Sequence, residues 1–175
     1  MNLEITQSKI LVCDDSFTNT LIVSELLKSD GYQHVDVFNA PELALEALSR
    51  SSYDLMLLDI EMPQMDGIQV MQAIQRRHLA DEYFPIIILT GVKDKSIRRQ
   101  ALELGAVDYI NKPLDQDEIL LRVRNTLKLH AAYKLKEKLS TRLEHQVGER
   151  TSELLKTKNL LIERLATLGE LKDND

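Results

Sequence analysis

The stretch LMLLDIEMPQMDG, residues 55–67, runs four apolar residues straight into Asp59 and then turns through Pro63 and Asp66-Gly67. A continuous apolar run bounded by turn residues reads as a strand buried on both faces, as parallel strands between two helical layers are. Working outward, residues 10–12, His34–Phe38, 86–89 and 106–110 form four more short runs, separated by helical patterns. Ser16 is placed to cap a helix with Leu21, Ile22, Leu26 and Leu27 on one face, and Gly31 stops it. Asn39 and Pro41 open a second helix bearing Leu43, Leu45 and Leu48. Residues 68–77 and 97–104 are helical behind the third and fourth runs, the latter up to Gly105. Five such βα units predict an α/β fold with a doubly wound, five-stranded parallel sheet. In sheets of that kind ligands bind beyond the carboxyl ends of the strands.

Composition sets the outer limits. The 175 residues carry 22 Lys+Arg against 28 Asp+Glu, a net charge of −6. No dense basic run is present, so nucleic acid is not the expected partner. The longest apolar runs fall far short of the roughly 20 residues that span a bilayer. The amino terminus, MNLEITQSKI, lacks the pattern of a secretory signal. Cys13 is the one cysteine. It ends an apolar run, which predicts a buried reduced thiol and a cytoplasmic protein.

Beyond about Asp117 the pattern changes. Ile119, Val123, Leu127, Ala131, Leu135, Leu139, Leu143 and Val147 recur every four residues, and Val147, Leu154, Leu161 and Leu168 every seven. Leu155, Ile162 and Leu165 widen the stripe. This predicts a long helix, or two in line with a joint at Gly148, extending about 70 Å if unbroken at about 1.5 Å per residue. Its later half resembles a coiled-coil seam interrupted by Arg150, Thr157 and Arg164. Such a stripe cannot be buried by one helix, so a homodimer through this C-terminal helix is expected. The domains are accordingly drawn at 1–128 for the α/β unit and 129–175 for the helical extension.

The chemistry lies just past the runs. Asp14 and Asp15 follow the first, Asp59 the third, Thr90-Gly91 the fourth and Lys112-Pro113 the fifth. In the predicted sheet these ends meet at one crevice. Three carboxylates that close together resist ionising unless a cation sits among them. Hard oxygen ligands suit Mg²⁺. A central aspartate beside such an ion is a nucleophile suited to phosphorus. Lys112 and Thr90 would balance and hydrogen-bond the phosphoryl oxygens. Taken singly, each residue has a plainer role: a helix-start charge, a strand-end turn, a cap or a surface ammonium. Their arrival at one edge of one sheet is what points to chemistry.

With DD after the first run, LLDIEMPQMDG at the third, LTG at the fourth and DYINKP at the fifth, residues 7–128 resemble the receiver domain of two-component response regulators, a flavodoxin-like fold. The resemblance implies that Asp59 accepts a phosphoryl group from a histidine kinase. It further implies that Asp15 and Asp59 bind Mg²⁺ directly, Asp14 through water and Glu61 through its backbone carbonyl. Thr90 and Lys112 would contact the phosphoryl group, Tyr109 would be an aromatic switch coupled to Thr90, and the Lys112-Pro113 bond would be cis. On this reading the α/β unit is a phosphoacceptor, not an enzyme. The side chain of Glu61, two residues past Asp59, is expected to influence the water that attacks the aspartyl phosphate. The segment from Leu143 onward, with ERTSEL and RLATLGE, is similar to the linker preceding an HD-GYP cyclic-di-GMP phosphodiesterase domain. The ERTxEL pattern also leads into histidine-kinase dimerisation helices. No HD-GYP motif occurs in the chain, so such an output domain, carried in cis, is expected beyond it. His145 lacks the flanks of a phosphorylatable histidine.

Two other readings stand beside this one. A phosphatase of the haloacid dehalogenase type also uses an aspartate and Mg²⁺. It would need a second Asp two residues after the first, where this chain has Glu61. A degenerate receiver serving only to dimerise its helix is the other, and the intact acidic cluster speaks against it.

Overall fold

The computed structural model describes residues 3–80, 83–91 and 95–172. Five strands, β1 (Lys9–Cys13), β2 (His34–Phe38), β3 (Leu55–Asp59), β4 (Ile86–Thr90) and β5 (Asp108–Asn111), form one sheet in the order β2-β1-β3-β4-β5. Every pairing is parallel. The helices are α1 (Leu3–Thr6), α2 (Phe17–Ser29), α3 (Pro41–Arg50), α4 (Gly67–Arg77), α5 (Lys95–Glu103) and α6 (Gln116–Lys172). The chain divides into two compact units, residues 1–132 and 133–175.

The uninterrupted apolar runs have a direct cause. Alternate strand residues face opposite ways, and both faces of this sheet are covered. Leu11, Cys13, Met56, Leu58 and Ile88 pack with Ala44, Leu45 and Leu48 of α3 and Val70, Met71 and Ile74 of α4. On the other face Ile10, Val12, Leu55, Leu57, Ile87 and Leu89 meet Val23 and Leu27 of α2 and Ile119, Val123 and Leu127 of α6. Leu55 through Leu58 are wholly buried. At about 1.5–3 kcal/mol for each large aliphatic side chain removed from water, this run is a principal anchor of the sheet.

Several local details follow the sequence. Ser16 caps α2 by accepting from the Asn19 amide, and Gly31 adopts a φ of 98° just past the helix. Pro41 opens α3. The Lys112-Pro113 bond is cis. Elsewhere the structure corrects the sequence. The buried face of α2 is Thr20, Val23, Ser24 and Leu27, whereas Leu21 and Ile22 are exposed. The phase is set by Thr20, whose hydroxyl donates to the Phe17 carbonyl at 3.0 Å and accepts from Asn39 at 3.0 Å. A polar residue with its partners inside lets two apolar ones turn out. Leu43 is likewise exposed, its place on α3 taken by Ala44. The fifth strand begins at Asp108, so Ala106 and Val107 belong to the turn before it. The short helix α1 has no clear signal in the sequence.

In the second unit α6 stays helical through Gly148. Leu135, Leu139, Leu143, Val147, Leu154, Leu155, Leu161 and Ile162 are all exposed there. The seam positions Leu165 and Leu168 lie outside the residues whose side chains are described.

The turn between β3 and α4 brings the chain into close approach at Gly67. Asp66 caps α4 by accepting from the Gln69 amide at 2.7 Å, while the Gln69 side chain accepts from the Asp66 amide at 3.0 Å. A Cβ on Gly67 would stand 2.5 Å from the Asp59 carbonyl oxygen and 2.9 Å from Ile60 Cα. Both neighbours are backbone, so neither can swing aside. Gly67→Ala is therefore expected to destabilise the chain by about 1–3 kcal/mol, seen as a lower urea midpoint. An unchanged midpoint would mean that the strand end yields freely.

Candidate functional site

The carboxyl ends of β1, β3, β4 and β5 lie side by side, because parallel pairing in register brings Cys13 opposite Leu58, Asp59 opposite Leu89 and Thr90 opposite Asn111. The residues that follow, or end, these strands are therefore gathered at one rim. Carboxylate oxygens of Asp14, Asp15 and Asp59 lie within 4.8 Å of one another. Asp14 and Asp59 are buried and Asp15 is exposed. The Lys112 ammonium stands between the two buried ones, 2.9 Å from Asp14 Oδ2 and 2.9 Å from Asp59 Oδ2. Its own amide donates to the Thr90 carbonyl at 2.8 Å, which ties the loop after β5 to the end of β4.

Burial pushes the Asp59 carboxyl above its ordinary range. The Lys112 hydrogen bond opposes that rise and the neighbouring Asp14 charge reinforces it. For Lys112, burial acts to lower the pKa, but hydrogen bonds to Asp14 and Asp59 outweigh it and raise it. Lysine is thus held charged between two carboxylates. Cys13, next to Asp14 in β1, is pushed up to about 12, by burial first and by the Asp14 charge next. Its thiol contacts Met62 Sδ at 3.8 Å and is wholly buried.

Three carboxyl groups are gathered at the rim with one ammonium among them. All of its donors are hard oxygens. This set fits a small divalent cation rather than a soft metal.

The family model for the response regulator receiver domain matches residues 10–124. The chain belongs to this family. A Vibrio cholerae O1 protein named a probable cyclic di-GMP phosphodiesterase is 32% identical over 170 residues, which is 97% of this chain and 38% of that protein. The chain therefore spans well under half of that relative's length. Sporulation initiation phosphotransferase F of Bacillus subtilis is 34% identical over 121 residues, 69% of this chain and 94% of that one. Among solved structures, the signal receiver domain of an HD domain-containing protein from Pseudomonas fluorescens Pf-5 superposes with a TM-score of 0.65 at 26% identity, covering 72% of this chain and 98% of its own.

Thr90, Glu61 and Tyr109 are also singled out in the sequence. Thr90 ends β4 and is buried. The Glu61 amide donates to Asp59 Oδ1 at 3.2 Å. Its carboxylate reaches across to Gly91, where a Cβ would come within 2.8 Å of Glu61 Oε2. Glycine at 91 thus leaves the space that Glu61 occupies. Tyr109 lies on β5, half-buried, with the Arg98 guanidinium 5.2 Å from its ring. The sequence alone did not mark Asn19, and it read Asn39 only as the opening of α3, whose N-cap is Ala40 with no side-chain cap bond. Asn19 Nδ2 reaches both oxygens of Asp14, at 3.2 and 2.9 Å, and Asn39 Nδ2 donates to the Asp14 carbonyl at 2.8 Å. The one available signal was Asn19 lying a helical turn from the Asp14-Asp15 pair.

Because burial holds the Asp59 carboxyl above its usual value of 3.8, the folded chain binds that proton more tightly than the unfolded one. Stability is then lost as pH rises from the unfolded value through the folded value. In chelator at neutral pH, Asp59→Asn is expected to raise the melting temperature by several degrees. The gain should fade as the pH falls towards 4. Calorimetry at a series of pH values checks this, and a variant less stable at neutral pH would contradict it.

Proposed function

We propose that this receiver is a phosphorylation switch in which Asp59 takes a phosphoryl group from a histidine kinase. The observation that carries the reading is the buried Asp59 carboxylate at the strand end, paired with Lys112 and set among oxygen donors. An Asp59 oxygen forms the new bond to phosphorus as the bond from phosphorus to the donor nitrogen breaks, and the donor imidazole keeps that electron pair. Lys112 follows the growing charge on the phosphoryl oxygens, and Thr90 donates a hydrogen bond to one of them. The Glu61 amide, already bonded to Asp59 Oδ1, holds the carboxylate's orientation. Asp14, Asp15, Asp59 and the Glu61 carbonyl would hold Mg²⁺, which supplies charge neutralisation for the transferred group. Tyr109 is the switch residue on β5, and the rearrangement it reports is shared by β5 and the helices beside it.

The helix α6 then serves as the output connection. The match to the Vibrio protein runs over 170 residues, past the 121 shared with the Bacillus phosphotransferase. That longer match takes in the helical extension and supports a cyclic-di-GMP phosphodiesterase as the output domain of the whole protein; the linker's resemblance makes the HD-GYP type the expected one. We place the receiver at 1–128 and the linker at 129–175. The exposed leucine stripe of the second unit supports a homodimer through this helix, since so long an apolar face is costly in water. None of the described helices is long and apolar enough to cross a membrane, in keeping with a cytoplasmic switch.

Treatment with acetyl phosphate and Mg²⁺ is expected to add one phosphoryl group per chain by intact mass. Asp59→Asn should abolish the addition, and Lys112→Ala should slow it about 100-fold. Labelling that survives Asp59→Asn would overturn the assignment. Sedimentation equilibrium is expected to find a dimer that dissociates on joint substitution of Leu139, Leu143 and Leu154 by Asp. An unaltered dimer would move the interface elsewhere.

A further inference from the structure

The acidic rim contains one carboxylate whose hydrogen-bonding capacity is filled by the protein itself. Asp14 Oδ1 accepts from the Ser16 amide at 2.9 Å and from Asn19 Nδ2 at 3.2 Å. Asp14 Oδ2 accepts from Asn19 Nδ2 at 2.9 Å and from Lys112 Nζ at 2.9 Å. A carboxylate offers about four acceptor sites, and these four contacts use them. Asp14 is wholly buried, so losing one of these donors leaves a buried acceptor short of a partner.

The four contacts differ in permanence. Lys112 is shared with Asp59, and any group arriving at Asp59 competes for it. The Ser16 amide is fixed by the start of α2. Among the described residues Asn19 is the one side chain that bonds both oxygens, and it sits on the first turn of α2, whose start is set by the Ser16 cap. Its amide therefore defines the plane of the Asp14 carboxylate independently of where Lys112 goes. Asn39 performs the matching task on the backbone, bonding the Asp14 carbonyl and bracing against Thr20.

We propose that Asn19 is a positioning residue for the cation site, holding the Asp14 carboxylate in the orientation that attracts a divalent ion when Lys112 is drawn away. The inference rests on the cation-binding reading given above and adds to it a residue outside the acidic set. Groups that orient metal-binding carboxylates change affinity by about 10- to 100-fold when removed, and Asn19 stands in that relation to Asp14.

Calorimetric titration of the full chain with Mg²⁺ tests it. Asn19→Leu keeps the shape of the side chain and removes its donors. Its Kd for Mg²⁺ is expected to rise at least about tenfold, and the melting temperature to fall, since a buried carboxylate loses donors on both oxygens. Asn19→Gln, which keeps the amide, is expected to recover most of the affinity. With acetyl phosphate, the Mg²⁺ concentration giving half the maximal rate should rise by the same factor, and the rate at saturating Mg²⁺ should not fall. Should Asn19→Leu fail to fold, Asn19→Ser carries the same comparison. An unchanged Kd in the donor-free variant overturns the inference, as does a loss that Asn19→Gln does not restore. A flat isotherm for the unaltered chain removes the cation reading and this inference together.

Discussion

One ammonium between two buried carboxylates is the interaction on which the rim depends. Without Lys112, Asp14 and Asp59 would face each other as buried like charges, an arrangement that resists ionisation. With it, both are held within hydrogen-bonding distance of a single cation. The pair of contacts also fixes the loop after β5 against β1 and β3, elements far apart in the chain. Breaking a buried pair by removing one partner is costly, since the other charge is left uncompensated. The same lysine is thus a structural tie at rest and a charge available to an incoming group.

That arrangement is possible because the sheet is covered on both faces. Strands that bury every residue can end abruptly in a polar group, as β3 does at Asp59 and β4 at Thr90. The rigid apolar run fixes the carboxylate's place, and the low-dielectric surroundings raise its proton affinity. Position and reactivity come from the same burial. The turn to α4 completes the geometry: Gly67 lets the helix start press against the Asp59 backbone.

Much of this was legible from residue order. The four-residue run before Asp59 announced a two-sided strand, and His34–Phe38 coincides with β2 to the residue. Parallel strands in register then bring Asp14, Asp15, Asp59 and Lys112 together with no further information. What the sequence hid was polar and interior. Thr20 and Ser24 lie on the buried face of α2; the Thr20 hydroxyl finds its partners there, and hydropathy cannot see a satisfied hydroxyl. The contacts of Asn19 and Asn39 with Asp14 escaped notice for a related reason. Their amides act on another residue's carboxylate and carbonyl, a relation that only three-dimensional contact discloses. The exposed leucines of α6 were readable as a stripe, whereas the point at which the stripe leaves the core, after Leu127, required the fold.

The buried thiol of Cys13 has a practical corollary. A sulfhydryl pushed up to about 12 and shut away from solvent carries almost no thiolate at neutral pH. Towards maleimides and nitroxide reagents the native chain is expected to react as though it held no cysteine. A spectroscopic label attached through a cysteine introduced anywhere on the surface would report from that one place, with no need to engineer the natural residue away.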